Sequence, residues 1–154
     1  MAKKPLKLVQ NRVWRTYNGG KLLDQFKNNP SPCDSSLPEE WIASDTVARN
    51  TGREYIKDEG LSKVKIDKGI KVTLRRIISE NPKKVLGKNH FNKYGKKMAV
   101  LTKLLDSSIR LTIQCHPTVD FAQKYFGSDF GKAEAWVILG GREINGEKPY
   151  ILFG

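Results

Sequence analysis

Gln114 and His116 stand two residues apart, and Glu134 follows eighteen residues later. An amide oxygen, an imidazole and a carboxylate at that spacing could form most of a metal site. In residues 109–116 the apolar side chains Ile109, Leu111, Ile113 and Cys115 alternate with Arg110, Thr112, Gln114 and His116, the period-2 signature of a strand. Gln114 and His116 then share one face, with attachment points about 7 Å apart. Both can reach one cation if a neighbouring strand brings a third ligand, and Glu134 is the natural candidate. Around it, Lys132, Glu134 and Trp136 share a face by the same alternation. Burying a lysine beside a glutamate is costly unless each has a partner, and a metal with an anionic substrate would supply both. By itself Gln-x-His is weak, since a lone strand histidine is more often a hydrogen-bonded structural residue; the glutamate makes the pattern informative.

The elements that must position these residues can be read from periodicity and turn chemistry. An extended segment over residues 6–13 leads to Trp14 and a turn at Asn18, Gly19 and Gly20. Residues 28–36 read as loop and 38–44 as a strand. Residues 45–69, polar with three glycines, predict turns and short strands with little burial. Ile70, Leu74, Ile77 and Ile78 recur at helical spacing, and Asn81-Pro82 ends that helix. A basic linker over 83–97 precedes a strand within 98–105. A short helix over 119–126 follows, introduced by Thr118 and stopped by Gly127. A strand carrying Glu134, a hairpin at Asn145-Gly146 and a last strand over 150–153 complete the chain. The whole predicts one domain, residues 1–154, mainly β: a sandwich or barrel with a few short helices and a site in its mouth.

The formal charge is +12, concentrated in residues 61–97, where twelve basic side chains face two acidic ones. Such a surplus attracts polyanions, but the charges are scattered without regular grouping and suit a solvated surface. Lysines interleaved with His90, Phe91 and Tyr94 could also track phosphates and stack on bases; no recognised nucleic-acid motif surrounds them. The start has no apolar stretch of signal-peptide length, and no run approaches the roughly 20 apolar residues of a membrane span. Cys33 and Cys115 do not make a disulfide framework. A reduced, cytoplasmic setting without membrane is the expectation.

Three ordered segments then carry a resemblance: Leu101-Thr102-Lys103-Leu104-Leu105-Asp106, Leu111-Thr112-Ile113-Gln114-Cys115-His116-Pro117 and Gly131-Lys132-Ala133-Glu134-Ala135-Trp136. Val13-Trp14 with Gly19-Gly20, and Pro38-Glu39-Glu40-Trp41-Ile42-Ala43-Ser44, agree more weakly. Together they resemble the N-terminal part of the type I phosphomannose isomerases, zinc enzymes of the cupin superfamily. The resemblance implies a cupin-like β-sandwich or jelly-roll portion, here an incomplete barrel, and the interconversion of mannose 6-phosphate and fructose 6-phosphate. It makes Gln114, His116 and Glu134 ligands of one zinc ion. It places Thr112, Lys103, Lys132, Glu39 and Trp14 around the sugar phosphate.

In that family a second histidine ligand and a catalytic arginine lie well downstream of the glutamate, past the last residue of this sequence. His90 sits upstream in a polar stretch and makes a poor substitute, so the general base is not assignable. The expectation is therefore a fragment, one half of a split gene completed by a second polypeptide, or a truncated relative without catalysis. A non-catalytic cupin that binds sugar and a basic nucleic-acid module are the alternatives; turnover separates the isomerase from the first, and metal content from the second.

Overall fold

The computed structural model describes residues 5–66 and 69–152; residues 1–4 and Phe153, the end of the last expected strand, lie outside them. The chain divides into two compact units, Met1–Ser107 and Ser108–Gly154. In the first, β1 (Arg12–Val13), β2 (Glu39–Ile42) and β5 (Thr102–Leu105) form an antiparallel sheet in the order β1-β2-β5. A second antiparallel pair joins β3 (Lys63–Lys65) to β4 (Lys71–Thr73). Helices α1 (Lys21–Phe26), α2 (Leu74–Glu80), α3 (Pro82–Leu86) and α4 (Lys88–Tyr94) complete this unit. The second unit contains α5 (Val119–Phe126).

The expected strand over 38–44 is β2, and that within 98–105 is β5. Two small sheets and five helices make a mixed fold, with no closed barrel among the described residues. Three expectations for the first unit need correction. Residues 45–69 bury Ala48, Leu61, Ser62 and Val64, with Ala48 against Trp41 and Val13, and Val64 against Leu74 and Ile78. The helix expected from Ile70 begins at Leu74: Val72 pairs with Val64 in the β3–β4 ladder, and the Thr73 hydroxyl caps the helix by accepting from Arg76 N at 3.3 Å. The basic linker is two helices, started by Pro82 at the first turn and separated by Gly87. Val85 and Leu86 of α3 pack on the core of Val64, Leu74 and Ile78. A second core cluster joins Val13, Trp41 and Ala48.

Glycine fixes one contact that the sequence did not announce. Gly20, at φ 100°, donates its N–H to the Asp106 carboxylate at 3.0 Å, and Leu22 N donates to the same oxygen at 2.8 Å. Buried Asp106 thus satisfies two donors at the start of α1, and Gly19 must pass against it. A Cβ on Gly19 would lie 1.9 Å from the Asp106 carbonyl oxygen. Gly19→Ala is therefore expected to cost about 3 kcal/mol, at the upper end for overpacking, seen as a lower midpoint of urea unfolding; an unchanged midpoint would show that the two segments separate freely.

In the second unit, α5 has the expected bounds. Thr118 accepts from Phe121 N at 3.3 Å, and Gly127 closes the helix at φ 59°. Asn145 and Gly146, at φ 54° and 79°, make the turn of the expected hairpin, but an isolated Ile144–Glu147 bridge stands in place of its paired strands. The strands expected over 109–116, from Lys132 to Leu139 and from Tyr150 are not formed among the described residues. Their alternation is real, but a ladder also requires a neighbouring strand in register, and Ile113, Val137 and Leu139 are exposed.

Candidate metal centre

Within the second unit, the chain crosses itself at Gly131. Lys132 N donates to Pro117 O at 2.9 Å, and a Cβ on Gly131 would lie 2.7 Å from that same oxygen and 2.8 Å from Val119 N. Only glycine permits this approach, which brings the 131–136 segment beside the 114–117 segment. The side chains of Gln114, His116, Lys132, Glu134 and Trp136, all of them exposed residues, meet beside this crossing. Trp136 Nε1 donates to Glu134 Oε1 at 2.6 Å, and Glu134 Oε2 lies 3.7 Å from His116 Nε2. Lys132 Nζ sits 3.0 Å from His116 Nε2, 3.4 Å from Gln114 Oε1 and 3.5 Å from Glu134 Oε2.

Four of the residues singled out in the sequence therefore converge, with three acceptors around one cationic nitrogen. Among the described residues no group of three or more His, Cys, Asp or Glu could hold a metal; here two such residues are joined by an amide oxygen. The set fits a zinc ion chemically. Donors bound at 2.0–2.1 Å in a tetrahedral shell stand about 3.3 Å apart, close to the 3.7 Å between His116 and Glu134. The indole hydrogen bond on Glu134 is an outer contact of the kind that orients a ligating carboxylate. Thr112 is exposed and is not drawn into this cluster.

The remaining singled-out residues belong to the first unit. Glu39 is buried at 3 % exposure and faces four donors. Tyr17 Oη donates to Oε1 at 2.5 Å, Trp41 Nε1 to Oε2 at 2.7 Å, Arg15 pairs with Oε2 at 3.1 Å, and Lys103 Nζ lies 3.5 Å from Oε1. The β2–β5 register explains part of this, since Trp41 lies opposite Lys103 and Glu39 is two residues from Trp41 on the same face. Burial alone would raise the Glu39 pKa. The hydrogen bonds from Arg15, Tyr17 and Trp41 and the charge of Lys103 outweigh it, holding the carboxyl below its ordinary value. Burial raises the Tyr17 phenol well above its ordinary value, and the bond to Glu39 adds to the shift.

Trp14 is engaged elsewhere: the Arg53 guanidinium stacks over its ring at 4.9 Å and pairs with Glu59 at 2.9 Å. The indole on Glu39 is that of Trp41. Sequence reasoning missed Tyr17 and Arg15, and Trp41 entered it only as part of a motif. A Tyr two residues beyond an Arg carries no signal until β2 lies beside that loop. His90 Nε2 contacts Lys97 O at 2.9 Å, outside the second unit. Cys33 and Cys115 are free and exposed.

A small mixed fold with an N/O donor cluster is what these residues define. The model of the phosphomannose isomerase type I catalytic domain matches residues 7–137, and the chain belongs to that family. It is similar to the probable mannose-6-phosphate isomerase GmuF of Bacillus subtilis (strain 168), at 42% identity over 45 residues. That match spans 29% of this chain and 14% of the relative. No solved structure matches the chain. No helix among the described residues is long and apolar enough to cross a membrane.

Proposed function

We propose that the chain carries the metal-binding part of a mannose-6-phosphate isomerase: Gln114 Oε1, His116 Nε2 and Glu134 Oε2 hold one zinc ion, and the whole protein interconverts mannose 6-phosphate and fructose 6-phosphate. The observation that carries this is the convergence of those three acceptors on a single cationic nitrogen, in a chain of the phosphomannose isomerase family. A zinc ion bound there supplies Lewis-acid charge stabilisation for a sugar oxygen while a proton moves between carbons 1 and 2. Trp136 orients the Glu134 carboxylate, and Lys132 adds a positive charge for the anionic substrate. Lys103, Thr112, Glu39 and Trp14 are proposed sugar-phosphate contacts on the family resemblance. For Glu39 the structure supports a supporting part, since its oxygens are taken up by Arg15, Tyr17, Trp41 and Lys103. The cupin architecture is proposed on the same resemblance.

A nucleic-acid surface is the less favoured reading. Lys83 lies over Phe91 at 5.2 Å and Lys93 over Tyr94 at 5.0 Å, so the chain's own cations cover rings that bases would need for stacking.

The test is zinc stoichiometry together with fructose 6-phosphate formation, measured with the chain alone and with a polypeptide supplying the C-terminal remainder of a family relative. One zinc per chain and zinc-dependent turnover in the reconstituted mixture are expected. A chain that binds no zinc and supports no turnover in either setting overturns the proposal.

A further inference from the structure

The Lys132 ammonium lies at the point where the three proposed ligands meet. A lysine head has three N–H donors and no acceptor, and three acceptors surround this one at 3.0, 3.4 and 3.5 Å. Without a cation, a carboxylate oxygen, an amide oxygen and an imidazole lone pair would turn their negative ends toward one another. We infer that Lys132 is a resident counter-cation, occupying the metal position in the metal-free chain and yielding it when a divalent ion binds. This rests on the zinc reading above and adds to it a competition for the site from within the chain.

Two further features fit displacement. The Lys132 backbone is tied by its N–H to Pro117 O at 2.9 Å, while its side chain is 47% exposed. The four-carbon stem can therefore swing into solvent without opening a cavity or moving the segment that carries Glu134. Donation by Nζ also requires a lone pair on His116 Nε2, which puts the imidazole proton on Nδ1. That is the tautomer in which Nε2 can bind a metal. The resident ammonium thus keeps His116 in the form that zinc needs.

The chain has two histidines, so their imidazole nitrogen signals are readily assigned by comparison with His116→Ala. Nitrogen NMR of the metal-free chain, well above the ordinary imidazole pKa, should show His116 with its proton on Nδ1, and Lys132→Met should shift it to a mixture of tautomers. Zinc titrated calorimetrically into Lys132→Met should bind about tenfold more tightly than into the unaltered chain. That difference should persist in about 0.5 M salt, where long-range repulsion between exposed charges is screened within a few ångströms. Equal affinities and equal tautomers in both proteins, with binding still abolished by His116→Ala, would overturn the inference while leaving the zinc reading intact. A difference that vanishes in high salt would reduce Lys132 to a distant repelling charge and also overturn it. Failure of both proteins to bind zinc would instead bring down the zinc reading itself.

Discussion

Replacing Glu39 by alanine should destabilise the chain by about 3 kcal/mol, the cost typical of removing one partner from a buried ion pair. The loss leaves the Arg15 guanidinium, the Tyr17 hydroxyl and the Trp41 indole N–H without their acceptor, and unsatisfied donors are more expensive than the hydrogen bonds themselves are favourable. Glu39→Gln keeps an acceptor and should cost less, which separates charge from hydrogen bonding. The pH dependence has a definite sign. Because the folded carboxyl titrates below its ordinary 4.5, its contribution is fully present above that value and is lost as pH falls through the folded one. Tyr17 works at the other end: its folded pKa is raised above 10.0, so its contribution is present below that value and declines as pH rises beyond it. Denaturant melts of the unaltered chain should therefore weaken on both flanks, and Glu39→Gln should flatten the acid one. An acid flank unchanged in Glu39→Gln would assign it to other carboxylates.

His116→Ala should abolish measurable zinc binding, a loss of at least about a hundredfold. Removing a partner one shell further out already costs 10- to 100-fold in affinity. Gly131→Ala is the more discriminating companion, since it leaves every proposed ligand in place. Its Cβ would press on Pro117 O and Val119 N below 3.0 Å, prising apart the two segments whose approach assembles the cluster. It should weaken zinc binding about tenfold or more, since misplaced ligands fare no better than poorly oriented ones. Calorimetric titration of zinc checks both variants; full affinity in Gly131→Ala would mean that the chain crossing does not assemble the site.

How much of this was legible beforehand depended on the range of the interaction. The α5 helix was readable because Thr118 and Gly127 cap it within its own sequence, and the Asn145-Gly146 turn because both residues tolerate positive φ. The grouping of Gln114, His116, Lys132 and Glu134 was readable from residue type and two-residue spacing, although neither segment forms a strand. That alternation grouped Gln114 with His116 and Lys132 with Glu134 but failed for Thr112, and it predicted strand pairing incorrectly, because pairing requires two segments in register.

Tertiary structure alone decided the rest. Gly19 and Gly20 stood out in the sequence as a motif, but the reasons for them exist only in the fold: a Cβ on Gly19 would strike the Asp106 backbone carbonyl, more than eighty residues away, and Gly20, at φ 100°, lies against Arg12 and the Leu37 carbonyl. Tyr17 and Arg15 acquire a partner only when β2 places Glu39 against their loop. The stretch 83–97 reads as a solvated linker by composition, yet it holds two helices, and the first of them, α3, has Val64, Leu74 and Ile78 for its Val85 and Leu86 to cover. Helices this short are marginal alone, and packing of an apolar face supplies the stability that local propensity lacks. The sequence determined donor chemistry, caps and turns; the fold determined which distant groups meet, since only burial makes their pairing obligatory.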